Sequence, residues 1–322
     1  MLIENTKIYQ GEELARIFFR PSFTGPSAEA MGIRVIYNLP VPTFLHKWSK
    51  NDNVLQEWSR GWTGNCKTSR EQHQVDMRKV KAESAFAASD YFMQVCETLV
   101  CNPEINLGDL SGTDLEKAET ELFRRAIAEA VRATMWAGDI YGRISKLSTF
   151  NGLLYHIDTA IDAEEDIAFE SFTDINERTA HEAFTLLWEQ ASIELQSLAS
   201  EGNLAIFVTS DFYHKFITEL DEKGTDSAYI DYINGHSKLA FHGIPIIEVP
   251  LSKYMIGNYS SFAMLTDRRN LVLALNTSDM PDTEVRMWYN PDEMENRQRA
   301  CFLAGTAVID PNVVSIYYSK RE

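Results

Sequence analysis

The chain has 322 residues, of which 30 are basic and 47 are acidic, so its formal net charge is -17. This balance argues against nucleic-acid binding by the surface as a whole, because an acidic protein repels a polyanion. With 44% hydrophobic and 11% aromatic residues, the chain has a globular composition and is long enough for two domains, or for one with large excursions.

The apolar segments are too short for a membrane span. No window approaches the roughly 18 uninterrupted apolar residues that a spanning helix needs, and the first residues lack the order of a secretory signal. We therefore expect a soluble protein that stays in the compartment where it is made.

The charge is divided unevenly along the chain. Residues 1–81 hold 12 basic and 8 acidic side chains, whereas residues 82–322 hold 18 basic and 39 acidic ones. A basic first quarter thus precedes a strongly acidic body.

The first 40 residues contain one predicted strand. Residues 1–31 show little periodicity, and a stretch with proline and glycine at 21–26 would break any regular element. We predict an extended arm here, followed by a strand at 33–37.

Three of the six tryptophans, Trp48, Trp58 and Trp62, lie within 15 residues of an otherwise polar segment. No helical or strictly alternating pattern would bury all three rings in one core. Two interpretations stay open: the rings pack on the segment or on the body beneath it, or they anchor a protruding loop on another subunit, as tryptophans at interfaces do. Residues 74–81 alternate polar and apolar, as the return strand of a hairpin would.

Two segments with helical periodicity follow. One begins at Ser84 and continues with apolar residues on one face to Leu99, before Pro103 ends it. A longer helix is predicted from Leu115 to Gly138, where glycine is a typical stop. Its stripe of apolar residues consists of Leu115, Ala118, Leu122, Ala126, Ala130, Ala133 and Ala137.

An acidic stretch at 158–170 carries six acidic side chains and no basic one. It lacks the alternate-position acids and the glycine of a calcium loop. We favour a solvated acidic loop over a divalent-cation site.

The next part of the chain has an α/β pattern. Helical periodicity covers 177–199, the apolar run 204–208 is typical of a buried strand, and Ser210 is a helix cap. Further strands are predicted within 241–250, at 262–265 and 271–275 as a hairpin, at 285–289, at 299–305 and at 313–318.

Motifs for catalysis or metal binding are missing. None of the seven histidines belongs to an H-E-x-x-H motif, and the sequence has no G-x-S-x-G, Walker or G-x-G-x-x-G loop. The four cysteines lack zinc-finger spacing and are interpreted as small hydrophobic residues in a reducing environment. They are Cys66, Cys96, Cys101 and Cys301.

A hydrolase could in principle use Ser210, Asp211 and His214. No glycine flanks Ser210 to permit the strained turn of a nucleophile elbow, so we interpret these residues as a helix cap followed by an exposed face. We predict no catalytic residue, no cofactor and no metal, and this favours an assembly protein.

The order of these segments resembles that of the major capsid proteins of tailed bacteriophages, whose fold encapsulin shells share. The most specific similarities lie in the second half. They are AIFVTSDFYHKF at 205–216, GIPII at 243–247, LTDRRN at 265–270 and RACFLAGTAVIDPNVV at 299–314.

The resemblance implies an α+β capsid fold. Residues 1–40 would form an N-terminal arm, and 41–80 an extended hairpin loop. Residues 81–150 and 281–308 would form a peripheral domain with a long spine helix, and 151–280 and 309–322 an axial α/β domain.

The resemblance also implies a function. The chain would self-assemble through pentamers and hexamers into an icosahedral shell that encloses double-stranded DNA without sequence-specific binding. It would be made and assembled in the host bacterial cytoplasm, with portal and scaffolding proteins as partners and no membrane. Trp48, Trp58 and Trp62 would then be inter-subunit contacts. An encapsulin-like compartment is the alternative, and a cytosolic hydrolase the remote one.

Overall fold

The computed structural model describes residues 27–38, 43–49, 57–61, 68–87, 109, 114–142, 147–222, 239–251, 261–276 and 286–319. In these residues the strands are β1 (Arg34–Tyr37), β2 (Thr43–Ser49), β3 (Ser69–Val75), β4 (Arg78–Ala87), β5 (Ala168–Phe172), β6 (Leu204–Thr209), β7 (Ala240–Phe241), β8 (Ile244–Val249), β9 (Phe262–Asp267), β10 (Leu271–Asn276), β11 (Arg286–Asn290), β12 (Glu295–Val308) and β13 (Val314–Ser319). The helices are α1 (Asp114–Ala137), α2 (Leu153–Asp162), α3 (Ala180–Gln190), α4 (Ile193–Ser197) and α5 (Ser210–Glu222).

A mixed six-stranded sheet has the spatial order β5-β13-β9-β6-β8-β7. Its central strands β13, β9 and β6 are buried at every position, which explains the apolar runs at 204–208 and 262–265 and the predominance of apolar residues in β13. Alternate residues face two separate cores, so that Ala205 and Phe207 lie in one and Leu204 and Ile206 in the other. The strands predicted at 204–208 and 313–318 are therefore confirmed.

Helices α3 and α5 cover one face of this sheet. Phe184 of α3 packs against Phe216 of α5 with ring centroids 5.0 Å apart, and Phe172 of β5 packs edge-on against Phe212 at 5.6 Å. Lys215 of α5 donates to backbone carbonyls at Ile175 and Arg178, in the loop before α3. These aromatic and polar contacts join the two helices to each other and to the sheet.

The other face is covered by α2 and by the last turns of α1. Trp136, fully buried, lies 5.3 Å from the ring of Phe207 and 5.9 Å from that of Phe262. The long helix predicted from Leu115 to Gly138 is confirmed, but its predicted apolar stripe is only partly buried. Ala133 is buried, whereas Leu122 and Ala126 are exposed, because the sheet contacts only the C-terminal part of the helix.

A second sheet is organised around the long strand β12. Residues 295–299 of β12 pair with β11 and residues 303–308 with β10, while β4 pairs along 295–304 on the opposite edge. Strand β1 then adds in parallel to β10. One continuous strand thus joins segments that are distant in the sequence.

Several predicted secondary-structure assignments are wrong. The return strand predicted at 74–81 is divided: Val75 ends β3, which pairs with β2, whereas β4 begins at Arg78 and pairs with β12. Strands β9 and β10 do not form a hairpin: β9 pairs with β13 and β6, whereas β10 pairs with β1 and β12 in the other sheet. The short helical turn Arg268–Asn270 redirects the chain between the sheets. Nor does a helix begin at Ser84, because pairing with β12 keeps β4 extended to Ala87.

The helix predicted at 177–199 is divided in two. Helix α3 ends at Gln190, and α4 begins after Ser192, whose hydroxyl accepts a hydrogen bond from the amide of Leu195. The solvated loop predicted at 158–170 is shorter than expected, because α2 continues to Asp162 and β5 begins at Ala168. The acidic residues at 162–166 are exposed. No helix in the described part of the chain is both long enough and apolar enough to span a membrane.

Candidate assembly surface

The hairpin of β2 and β3 has two chemically different faces. The strands are antiparallel and in register from Thr43 opposite Val75 to Ser49 opposite Ser69. Alternate side chains of a strand lie on opposite faces. Leu45 is buried and Lys47 half-buried on one face, whereas the other carries exposed Phe44, His46 and Trp48.

The inner face is packed on the second sheet, which consists of the five strands β1, β4, β10, β11 and β12. Leu45 and Val75 form a small core with Val272 and Ala274 of β10 and Ala307 of β12. This core is apolar and excludes water at the base of the hairpin. The base is therefore held by hydrophobic burial.

An ion pair strengthens the same attachment. The Nζ atom of Lys47 lies 2.5 Å from an oxygen of Asp310 and 3.5 Å from one of Glu71. Burial by itself would lower the pKa of Lys47, but the two carboxylates more than offset this effect and raise it. Asp310 is in turn held by Asn270, whose side chain bonds the Asp310 backbone at both N and O, each at 2.8 Å.

The outer face carries the predicted contact residues. Trp48 is 64% exposed, and the guanidinium of Arg70, directly opposite in register, lies 4.6 Å from its ring centroid. Trp58 is 91% exposed. Trp62 lies outside the described residues. Trp48 and Trp58 are thus free of the body of their own subunit, and their role as inter-subunit contacts stays a prediction.

Two further residues of this face, Phe44 and Arg70, were not predicted from the sequence. Phe44, 46% exposed, and Arg70 join Trp48 in one exposed aromatic and cationic strip. The alternation over 44, 46 and 48 is the signal that could have identified Phe44. It was ambiguous because Leu45, on the opposite face, is apolar as well.

Another exposed aromatic residue, outside the hairpin, lies on β11. Trp288 is 5.9 Å from the guanidinium of Arg299 on β12, and Arg299 forms a 2.7 Å ion pair with Glu83 of β4. Hydrogen bonds from Lys81 and Arg299 lower the pKa of Glu83. This group ties together three neighbouring strands at the surface.

The residues of the hydrolase alternative do not form a catalytic group. Ser210 is the first residue of α5, and the exposed ring of His214 packs edge-on against Tyr213 with centroids 6.1 Å apart. Asp211 accepts a hydrogen bond from the hydroxyl of Ser261. Among the described residues, no three His, Cys, Asp or Glu side chains are grouped as metal ligands. Cys301 is a half-buried free thiol, and the other three cysteines lie outside the described residues.

Solved capsid structures share this arrangement of strands and helices. The capsid of cyanophage P-SCSP1u matches with a TM-score of 0.55 and 12% identity, over 94% of this chain and 91% of that one. The capsid of an empty GTA particle matches with a TM-score of 0.53 and 13% identity, over 92% and 97%. The chain has the phage capsid fold.

An encapsulin also has this fold. The SrpI encapsulin of Synechococcus elongatus matches with a TM-score of 0.52 and 12% identity, over 93% of this chain and 91% of that one. The α+β capsid fold implied by the sequence resemblance is therefore confirmed. No protein-family model matches the sequence, and no curated protein matches it either.

Proposed function

We propose that this chain is the major capsid protein of a tailed bacteriophage and assembles through pentamers and hexamers into an icosahedral shell around double-stranded DNA. The observation that carries the proposal is the extent of the likeness in fold, which covers 94% of this chain and 91% of a cyanophage capsid protein. The proposal gives this chain the role of the capsid proteins that share its fold. We therefore infer a structural, non-enzymatic role.

In this proposal the outer face of the β2–β3 hairpin forms a contact between subunits. Subunits of a closed shell meet through heterologous contacts that close into rings. Trp48 and Trp58 offer exposed aromatic surface for such a contact, and we include Trp62 with them. The basic residues of segment 1–81 would guide this surface to the acidic body of a neighbour.

The division of the chain follows the same proposal. Residues 1–40 form the arm, 41–80 the extended loop, 81–150 and 281–308 the peripheral domain, and 151–280 and 309–322 the axial domain. Assembly takes place in the bacterial cytoplasm with portal and scaffolding proteins, and the product is a virion capsid.

Electron microscopy of the purified chain, combined with analysis of nuclease-protected nucleic acid in particles from infected cells, tests this function. Closed particles tens of nanometres across that protect double-stranded DNA are expected. Particles that hold only a cargo protein would favour the encapsulin alternative, which the likeness to SrpI supports. Absence of any particle, with turnover of simple esters, would favour the hydrolase.

A further inference from the structure

A cavity of about 240 Å³ lies between strand β3 of the hairpin and the body of the subunit. Strand β3 contributes His73 and Gln74 to its lining, α2 contributes His156 and Thr159, and the turn after α2 contributes Glu165. The cavity is polar on these sides and has room for several water molecules. It adjoins the small core in which the base of the hairpin is held.

Two imidazole rings that line the cavity, each from a different element, have unsatisfied nitrogens. The Nε2 atoms of His73 and His156 are both buried, and neither has a hydrogen-bond partner among the described residues. A buried polar atom without a partner is uncommon, and it calls for a physical explanation. One ring belongs to the hairpin and the other to α2, so the unsatisfied atoms lie across the joint between hairpin and body.

The surroundings of His156 oppose its protonation. Burial lowers the pKa of this imidazole, and the backbone of Thr306 and the charge of Asp76 compensate only in part. From the elements packed around it, the titratable groups that line the cavity are His73 on β3 and Glu165 on the turn. Strand β12 and Pro311 contribute uncharged groups to the lining.

We propose that the cavity lined by His73 and His156 is a proton-sensitive latch, which holds the β2–β3 hairpin against α2 and β12 when His156 is neutral and releases the hairpin base when His156 is protonated. Release hydrates the imidazolium, whereas the closed cavity would keep it partly desolvated. The latch depends on the joint within one subunit and does not rest on the proposed shell function.

The direction of the pH dependence follows from linkage. The released state has an ordinary histidine pKa of about 6.5, and in the closed state the pKa of His156 is lower. The closed state therefore binds fewer protons, and acid favours release. Above pH 6.5 the latch is closed, and below it the equilibrium shifts toward release by up to about tenfold per pH unit, until the lowered pKa is reached.

Hydrogen–deuterium exchange of the full-length chain at pH 7.5 and 5.5 tests the latch. After correction for the intrinsic pH dependence of exchange, protection of the amides in β2 and β3 should fall about five- to tenfold at pH 5.5. Amides of β6 and β9 in the buried sheet serve as the internal reference and should keep their protection. His156→Gln and His73→Gln are the test variants, and His214→Gln, which changes an exposed ring on α5, is the matched control.

In the His156→Gln variant the fall in hairpin protection between the two pH values should largely disappear, and in His73→Gln it should shrink. The control should behave as the parent chain does. The readout is the ratio of hairpin protection at pH 7.5 to hairpin protection at pH 5.5. A substitution that loosens the hairpin equally at both pH values does not change this ratio, so the test still decides. A pH-independent hairpin in the parent chain, or an unchanged ratio in both test variants, would overturn the proposal. If one variant fails to fold, the other still decides.

Discussion

The amide of Gly152 donates a 2.7 Å hydrogen bond to the carbonyl oxygen of Gly138 and thereby fastens the start of α2 to the end of α1. A methyl group on Gly152 would lie 2.6 Å from the amide nitrogen of Gly138 and 2.7 Å from the carbonyl oxygen of Thr134. The close approach of the two glycines allows α1 to end where Trp136 enters the core between α2 and the six-stranded sheet.

Gly152→Ala should therefore destabilise the fold. The backbone of Gly152 is extended, with φ -92° and ψ 175°, so alanine meets no conformational penalty and only the steric clash counts. Overpacking of this kind costs about 1–3 kcal/mol in the free energy of unfolding. Urea denaturation measures the cost. Gly142→Ala is the matched control, because the atoms nearest to its methyl group would belong to the side chain of Asp139, at 3.0 Å, and not to the backbone. An equal loss of stability in both variants would contradict this account.

Truncation of the hairpin tryptophans should impair assembly and spare the fold. Trp48→Ala and Trp58→Ala remove exposed rings, and each should weaken an interface by about 2 kcal/mol or more if the ring is an anchor. The triple variant with Trp62→Ala should yield soluble subunits with the parent circular dichroism spectrum and few or no particles in electron micrographs. Tyr141→Ala removes an equally exposed ring outside the hairpin and should assemble. Normal assembly of the triple variant would rule out the anchor role.

The ion pair between Lys47 and Asp310 should stabilise the attachment of the hairpin. The two side chains are 28% and 14% exposed, so part of the Coulomb attraction is screened, and a coupling of about 1 kcal/mol is expected. A double-mutant cycle with Lys47→Gln and Asp310→Asn measures it, and additive effects would contradict the coupling. Since the pKa of Lys47 is raised, this contribution is complete below the unfolded lysine pKa of about 10.4 and is lost as the pH rises through the folded value.

Removal of Glu219 should destabilise the start of α3. The Glu219 carboxylate on α5 accepts hydrogen bonds from the amides of Ala180 and His181, at 2.6 and 3.1 Å. Hydrogen bonds to a charged group contribute about 1.5–3 kcal/mol, so Glu219→Ala should lower the midpoint of thermal unfolding. Glu222→Ala, at the exposed end of the same helix, should change the stability by less than about 0.5 kcal/mol. Equal midpoints for Glu219→Ala and the parent chain would show that this cap contributes nothing.

The candidate surface was only partly predictable. The clustering of Trp48 and Trp58 in a polar segment identified them as candidates, and both are exposed on their own subunit. Phe44 and Leu45 are adjacent and both apolar, so the sequence could not tell which of them faces the body. The joint of His73 with His156 was equally inaccessible, because the two residues are far apart in the chain and no motif links them.

Local patterns determined the position and type of several elements. Strand β6 is buried on both faces and therefore appears as a continuous apolar run at 204–208. Helix α1 begins and ends within one residue of its predicted bounds. Tertiary structure decided what these patterns do not encode. β9 and β10 are both continuous apolar runs, and such a run carries no information about which sheet it joins. Contacts between distant residues decide that these two strands belong to different sheets. Such contacts also decide how deeply α1 is buried and which face of the hairpin is exposed. Local periodicity carries no information about them.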